Sequence, residues 1–257
     1  MLHLTRRGLV AGGALALALP SCASAQTEEL TLDDVLARHT QARGGAAALD
    51  AIRNTRNDAT IVEPSFTVRG TYIANTDGLM RVDVFAEGQR VFSEGIDAEG
   101  AWSRQGGDAP VEPASETARA ALYHGVEFNL FGLHAFPGRG HAITLEGREA
   151  IDGTNYYVLK IVMRDGFETY RYIDPATWLS TRRRDVRALH PDVDPTTRLL
   201  ETIASDWRPV NGVLSSFAWE QRDVAHDAQV QTGTIHSLEY NAAIPDAAFA
   251  RGAPPSL

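Results

Sequence analysis

Residues 168–184 read ETYRYIDPATWLSTRRR. The stretch is either a catalytic acid, Asp174, beside an anion clamp, or a turn between two strands. Alternation decides it. Thr169, Arg171 and Ile173 fall on one face of an extended segment, Tyr170 and Tyr172 on the other. Asp174-Pro175-Ala176-Thr177 is turn chemistry, because proline presets the backbone and aspartate hydrogen-bonds within the turn. LSTRRRDV then returns as a strand, with Arg182 and Arg184 opposed to Arg183, so no three-pronged clamp forms. The segment reads as a β-hairpin, and its arginine run as a solvated strand edge that discourages edge pairing.

Hairpins of the same texture lie on either side. Asp152-Gly153, Asp165-Gly166 and Asn211-Gly212 are strong two-residue turn signals between alternating segments. Toward the N-terminus, Met80, Val82 and Val84 oppose Arg81, Asp83 and Phe85, and GIDAEGAWSRQ turns near Ala98-Glu99-Gly100 to present Trp102. TIHSLEYNAAIP closes the sheet, and DAAFARGAPPSL reads as a tail. Helices are few. LTLDDVLARHTQAR places Leu32, Val35, Leu36 and His39 on one face, with Thr31 and Asp34 as a capping box and Gly44-Gly45 as its end. A short helix with Leu49 and Ile52 follows. Residues 114–136 read as a helical insert capped by Ser115, ending in Phe128, Leu130, Phe131, Leu133 and Phe136. So many hairpins with so few helices imply an α+β fold whose large antiparallel sheet curls or splits into layers.

The 257 residues are 44% hydrophobic with a net charge of -9, which excludes the concentrated positive charge that holds nucleic acid. Residues 1–25 read as an export signal: Arg6-Arg7, an apolar run from Leu9 to Leu19 too short for a good membrane span, then small residues. The stretch TRRGLV resembles a twin-arginine signal; an ordinary secretory signal with two arginines is the alternative. Ala23-Ser24-Ala25 favours cleavage before Gln26, giving a periplasmic chain of one domain, 26–257. The alternative is a lipid anchor on Cys22 within Leu19-Pro20-Ser21-Cys22, against which Pro20 counts. Cys22 is the only cysteine.

The order of these pieces resembles the LolA/LolB-like superfamily of periplasmic lipoprotein carriers and outer-membrane lipoprotein-sorting proteins. VLARHTQARGGAAALDAIRNTRNDATI, GIDAEGAWS, LEGREAIDGTNYYVLKI, YRYIDPATWLSTRRR, SDWRPVNGVLSSFAWEQ and YNAAIPDAAFA follow that group's pattern over roughly residues 30 to 250. The resemblance implies a curved antiparallel sheet forming a half-open β-barrel wrapped over a few helices, with an apolar cavity for acyl chains. Trp102, Leu122, Phe128, Leu130, Phe131, Leu133, Tyr170, Tyr172, Trp178, Phe217 and Trp219 are the side chains expected to line it. The insert is expected to cover its mouth. The expected partners are lipid or lipoprotein acyl chains and a membrane-bound handover partner, with the chain a monomer. The arginine that the carriers use in handover has no identifiable counterpart here.

No catalytic or cofactor motif emerges. His190-Pro191-Asp192-Val193-Asp194-Pro195 reads as a surface loop, since a metal site needs more ligands. His124, His134 and His141 lack zinc spacing, and Ser215-Ser216 with Asp206 has no nucleophile elbow. No cofactor and no metal are expected. A non-catalytic carrier is the favoured reading. A hydrolase acting on an apolar substrate through His134 or His190, and a scaffold with a closed core, stay open.

Overall fold

Antiparallel strand pairing is the main regular structure. The computed structural model describes residues 29–254, so the export segment and Cys22 lie outside the described residues. The N-terminal half supplies β1 (Asn54–Glu63), β2 (Phe66–Asn75), β3 (Met80–Ala86), β4 (Gln89–Asp97), β5 (Gly100–Gln105) and β6 (Glu112–Pro113). The C-terminal half supplies β7 (Ala142–Ile151), β8 (Thr154–Val162), β9 (Glu168–Ile173), β10 (Ser180–Arg187), β11 (Arg198–Val210), β12 (Val213–Asp223) and β13 (Ala228–Tyr240). Each half is a meander, and β1 pairs with β13 to join them in the order β6-β5-β4-β3-β2-β1-β13-β12-β11-β10-β9-β8-β7. The two edge strands, β6 and β7, do not pair with each other, so the sheet forms a half-open barrel.

The turns are those the sequence specifies. Asp152-Gly153 and Asn211-Gly212 both take positive φ at both residues, at 49° and 81° and at 48° and 83°, the geometry that suits the strand twist of a tight hairpin. Asp174 accepts a hydrogen bond from the Ala176 amide (2.8 Å) in the turn between β9 and β10.

Helix α1 (Leu32–Ala42) starts at the expected capping box, with Thr31 Oγ1 accepting from the Asp34 amide. It ends at Gly44, where φ is 119° and an added Cβ would overlap the Gly212 carbonyl. That contact seats the helix end on the β11–β12 hairpin, where the Leu214 amide donates to the Arg43 carbonyl (2.9 Å). Among the described residues, helix α2 (Ala46–Asp50) and helix α3 (Glu116–Leu130) complete the helical set with three short 3-10 turns. Leu122, Val126 and Leu130 of α3 pack with Leu49, Ala74, Met80, Val213 and Tyr240, so α3 lies across the concave face of the sheet.

Two sequence expectations are corrected. Residues 246–251 are no loose tail: Phe249 is 2% exposed, Arg251 pairs with Asp97, and Arg81 donates to the carbonyls of Ala248 and Ala250. They cover the convex face of β3–β5, where buried Arg81, Asp83 and Trp102 need shielding and hydrogen-bond partners. Nor is the arginine run a solvated edge. β10 lies between β9 and β11. Arg182 pairs with Glu201 and Asp152, and Arg184 with Glu201 and Glu149.

Candidate functional site

Helix α3 has two working faces. One is the core face just described. The other carries Thr117, Ala120, Ala121, His124, Gly125 and Phe128, a helical stripe of mostly small side chains. Small residues hold the helix surface back from the sheet, and a cavity of about 320 Å³ remains between this stripe and β10. A Cβ built on Gly125 meets nothing within 4 Å. Phe167, Ala188, Pro191 and Thr197 complete the wall with Arg183, Asp185 and Arg187. The loop His190–Pro195, read from sequence as a plain surface loop, therefore borders this opening through Pro191, with Ala188 and Thr197 on either side of it. His190 in it bonds Glu63 (2.8 Å), and Asp192 accepts from the Ser115 amide at the start of α3.

Beyond α3 the concave wall turns mostly apolar, with Glu94 opposite Val82 as its acid. Val82, Val84 and Phe92 stand half-buried on one face of β3 and β4. Trp219 of β12 pairs across the sheet with Gly233, where any side chain would overlap the indole, so glycine lets the ring lie flat. The indole Nε1 donates to Gln231 Oε1 (3.1 Å).

The floor on the β9–β10 side is cationic. Arg171 and Arg183 pair across the two strands and share the concave face with Thr169, Asp185 and Arg187. Arg183 and Arg187 both engage Asp185, at 3.1 and 2.8 Å. Arg171 has no such partner among the described residues. Its guanidinium carbon lies 4.4 Å from the centroid of Phe128, and its Nε is shielded from water without a hydrogen bond. Arg171 is set deep without being sealed. Loss of hydration, then the Arg183 charge, pull it down to about 9; loss of hydration and Arg183 bring Arg187 down to about 10. Nearby, His39 is pushed down to about 4 by burial, and its ring is held 2.8 Å from the Trp178 carbonyl.

The expected lining residues divide. Phe128 faces the cavity and Trp219 the concave wall. Phe217 shares Trp219's face of β12 and is buried. Leu122 and Leu130 are core residues, with Phe131 against them. Leu133 is buried in a 3-10 turn. Trp178 sits at the rim, stacked on Tyr157 at 5.5 Å with Arg38 above it. Trp102, Tyr170 and Tyr172 sit elsewhere. Trp102 is on the convex side beneath the C-terminal segment, sharing a face with Gly95 and Arg81. Tyr172 and Tyr170 are on the convex side with Tyr156 and Val158, under Arg182 and Arg184. The alternation of 168–173 already separates the tyrosines from Arg171. The sequence does not say which face is concave, and aromatic side chains draw the eye to the wrong one.

Five of the described histidines pair with carboxylates: His124 with Asp165, His134 with Asp50, His141 with Glu127, His190 with Glu63 and His226 with Asp223. Ser216 donates to backbone carbonyls, Ser215 bonds Tyr240, and Asp206 is held by Arg208. Among the described residues no group of three or more His, Cys, Asp or Glu is placed to hold a metal ion.

No family model matches the sequence, and no curated protein matches it. Solved structures do. A DUF1329 family protein from Desulfovibrio piger superposes with a TM-score of 0.57 at 14% identity, over 85% of this chain and 95% of that one. A LolA superfamily protein from Nitrosomonas europaea gives 0.57 at 12%, over 86% and 98%. A putative outer membrane lipoprotein-sorting protein domain from Vibrio parahaemolyticus gives 0.57 at 11%, over 83% and 95%. The chain thus has the half-open barrel of LolA superfamily structures, and the resemblance read from its hairpins holds at the level of the fold.

Proposed function

We propose that this protein is a non-catalytic binding protein for amphiphilic molecules, whose apolar chains lie in the concavity between α3 and the sheet. The observation that carries this reading is the open space facing Gly125, in a helix whose other face packs on the core. A helix interior disfavours glycine by about 1 kcal/mol relative to alanine, and here that glycine leaves room. Half-buried Val82, Val84, Phe92 and Trp219 supply apolar wall nearby. Each CH₂ transferred there from water contributes roughly 0.8 kcal/mol, so a chain of ten carbons is held without any covalent step.

The hydrolase alternative draws no support from the geometry. No serine hydroxyl bonds a histidine among the described residues. Thr60, which does bond His236, lies on an exposed strand face, and no carboxylate among the described residues pairs with that ring. A closed scaffold fits poorly with the vacant helix stripe.

The likeness to a lipoprotein-sorting domain makes lipoprotein acyl chains the first cargo to test. Place follows from residues 1–25: we infer export to the periplasm and a mature chain from Gln26, handing cargo to a membrane-bound partner. Mass spectrometry of lipids extracted from the natively purified protein is the test. Bound acyl lipids are expected; a lipid-free extract, with no displacement of a fluorescent fatty acid in solution, contradicts the reading. Intact mass of the exported chain separates cleavage before Gln26 from acylation at Cys22.

A further inference from the structure

The cavity beside α3 carries more positive charge than the fold requires. Three guanidiniums, from Arg171, Arg183 and Arg187, share the concave face of β9 and β10, and Asp185 is the carboxylate among them. Asp185 already accepts from Thr169 and is taken by Arg183 and Arg187, which leaves Arg171 uncompensated. Donors also go unused. Arg171 Nε and Arg187 Nη2 are shielded from water and have no hydrogen-bond partner among the described residues. A buried donor without an acceptor is a standing cost, which an incoming oxygen removes. The acids nearest the rim are engaged elsewhere, Asp165 by His124 and Asp192 by the Ser115 amide. Apolar surface adjoins the cations directly: Phe128 carries Arg171 on its ring, and Ala120, Ala121, Gly125, Phe167 and Ala188 line the same space.

We propose that Arg183 and Arg187, backed by Arg171, form a head-group site for an anionic amphiphile, a fatty carboxylate or a phosphate-bearing lipid, with its chain running along α3. This rests on the proposed binding function and adds a selectivity that an apolar cavity alone lacks. Guanidinium forks match the paired oxygens of carboxylate and phosphate. Away from bulk water, a head group without negative charge leaves Arg171 unanswered and the spare donors unused.

The test compares decanoate with decanol, and each with inorganic phosphate, by displacement of a fluorescent fatty acid from the full mature chain. Decanoate is expected to bind about 10- to 100-fold more tightly than decanol, the range for a hydrogen bond to a charged group. Phosphate alone is expected to displace nothing. Arg183→Gln and Arg171→Met are each expected to bring the two ligands within about threefold of one another, on the same scale. Arg171→Met breaks no ion pair, so it answers the question if Arg183→Gln fails to fold. Equal binding of decanol and decanoate to the unaltered protein overturns the head-group site and leaves the carrier reading standing. Binding of neither overturns both. Displacement by phosphate alone, with no gain from a chain, replaces the proposal by a free-anion site. A carboxylate preference that survives both substitutions overturns the assignment to these arginines.

Discussion

The Arg171 guanidinium rests 4.4 Å from the centroid of the Phe128 ring, and no carboxylate among the described residues pairs with it. A desolvated, unpaired cation burdens the folded state, and the ring returns only part of the cost. Arg171→Met should therefore raise the stability of the ligand-free protein, by about 1–3 kcal/mol, as apolar replacement of buried charge does elsewhere. Urea unfolding measures it. A fall in midpoint with the slope unchanged would mean that the guanidinium supports the fold.

The double glycine behind α1 should be unequal in its demands. Both residues take positive φ, but only at Gly44 would a side chain overlap the Gly212 carbonyl; at Gly45 the nearest atom lies 3.8 Å away. Gly44→Ala should cost about 3 kcal/mol, from strain plus displacement of the hairpin, and Gly45→Ala about 1 kcal/mol from strain alone. Thermal unfolding of the two variants gives the order, and equal losses would refute the docking contact.

Glu127 is 1% exposed and takes two hydrogen bonds of 2.6 Å from Arg139 and one of 3.1 Å from His141. Burial alone would raise its pKa, but these donors, with Tyr123, outweigh burial and hold it below the ordinary 4.5. A depressed carboxylate contributes stability that is complete above 4.5 and is lost as pH falls through its folded value. Arg139→Ala strands the carboxylate and should cost about 3–5 kcal/mol at pH 7. Its deficit should shrink below pH 4.5, where Glu127 protonates. A deficit that does not vary with pH would show lost packing only.

Glu94 has the opposite sign. It stands on the concave face of β4 opposite Val82, and loss of hydration, helped by the Asp192 charge, pushes it up to about 7. A raised carboxyl contributes stability that is full below its unfolded value near 4.5 and is lost as pH climbs through 7. Glu94→Gln should flatten that decline and leave the variant about 1–3 kcal/mol more stable than the parent at pH 8. A decline of unchanged slope in the variant would place the titration elsewhere.

Much of the fold is legible in the residues. Asp152-Gly153 and Asn211-Gly212 fix two hairpins, Thr31 and Asp34 fix a helix start, and period-two alternation sorts the faces of β3 and β9. Which face turns inward is not local information. It depends on where α3 lies and on how the C-terminal segment folds back over Trp102, contacts between residues far apart in the chain. Aromatic character therefore draws the sequence reading to Tyr170 and Tyr172, while Arg171 between them holds the concave position. The α3 stripe of Thr117, Ala121, Gly125 and Phe128 is not read from the sequence, because a face of small residues looks the same whether it meets a neighbour or a void.

That void is the most direct target. Gly125 has no strained backbone and no atom within reach of an added Cβ, so Gly125→Leu should fold, gain helix propensity, and fill the space. Displacement titration of a fluorescent fatty acid on parent and variant decides the central claim. The account predicts tight, displaceable binding to the parent and at least about a tenfold loss in the variant, the equivalent of 1.4 kcal/mol, with unfolding midpoint equal or higher. Equal affinity in a folded Gly125→Leu protein would contradict it, because the ligand would then lie outside the space between α3 and the sheet.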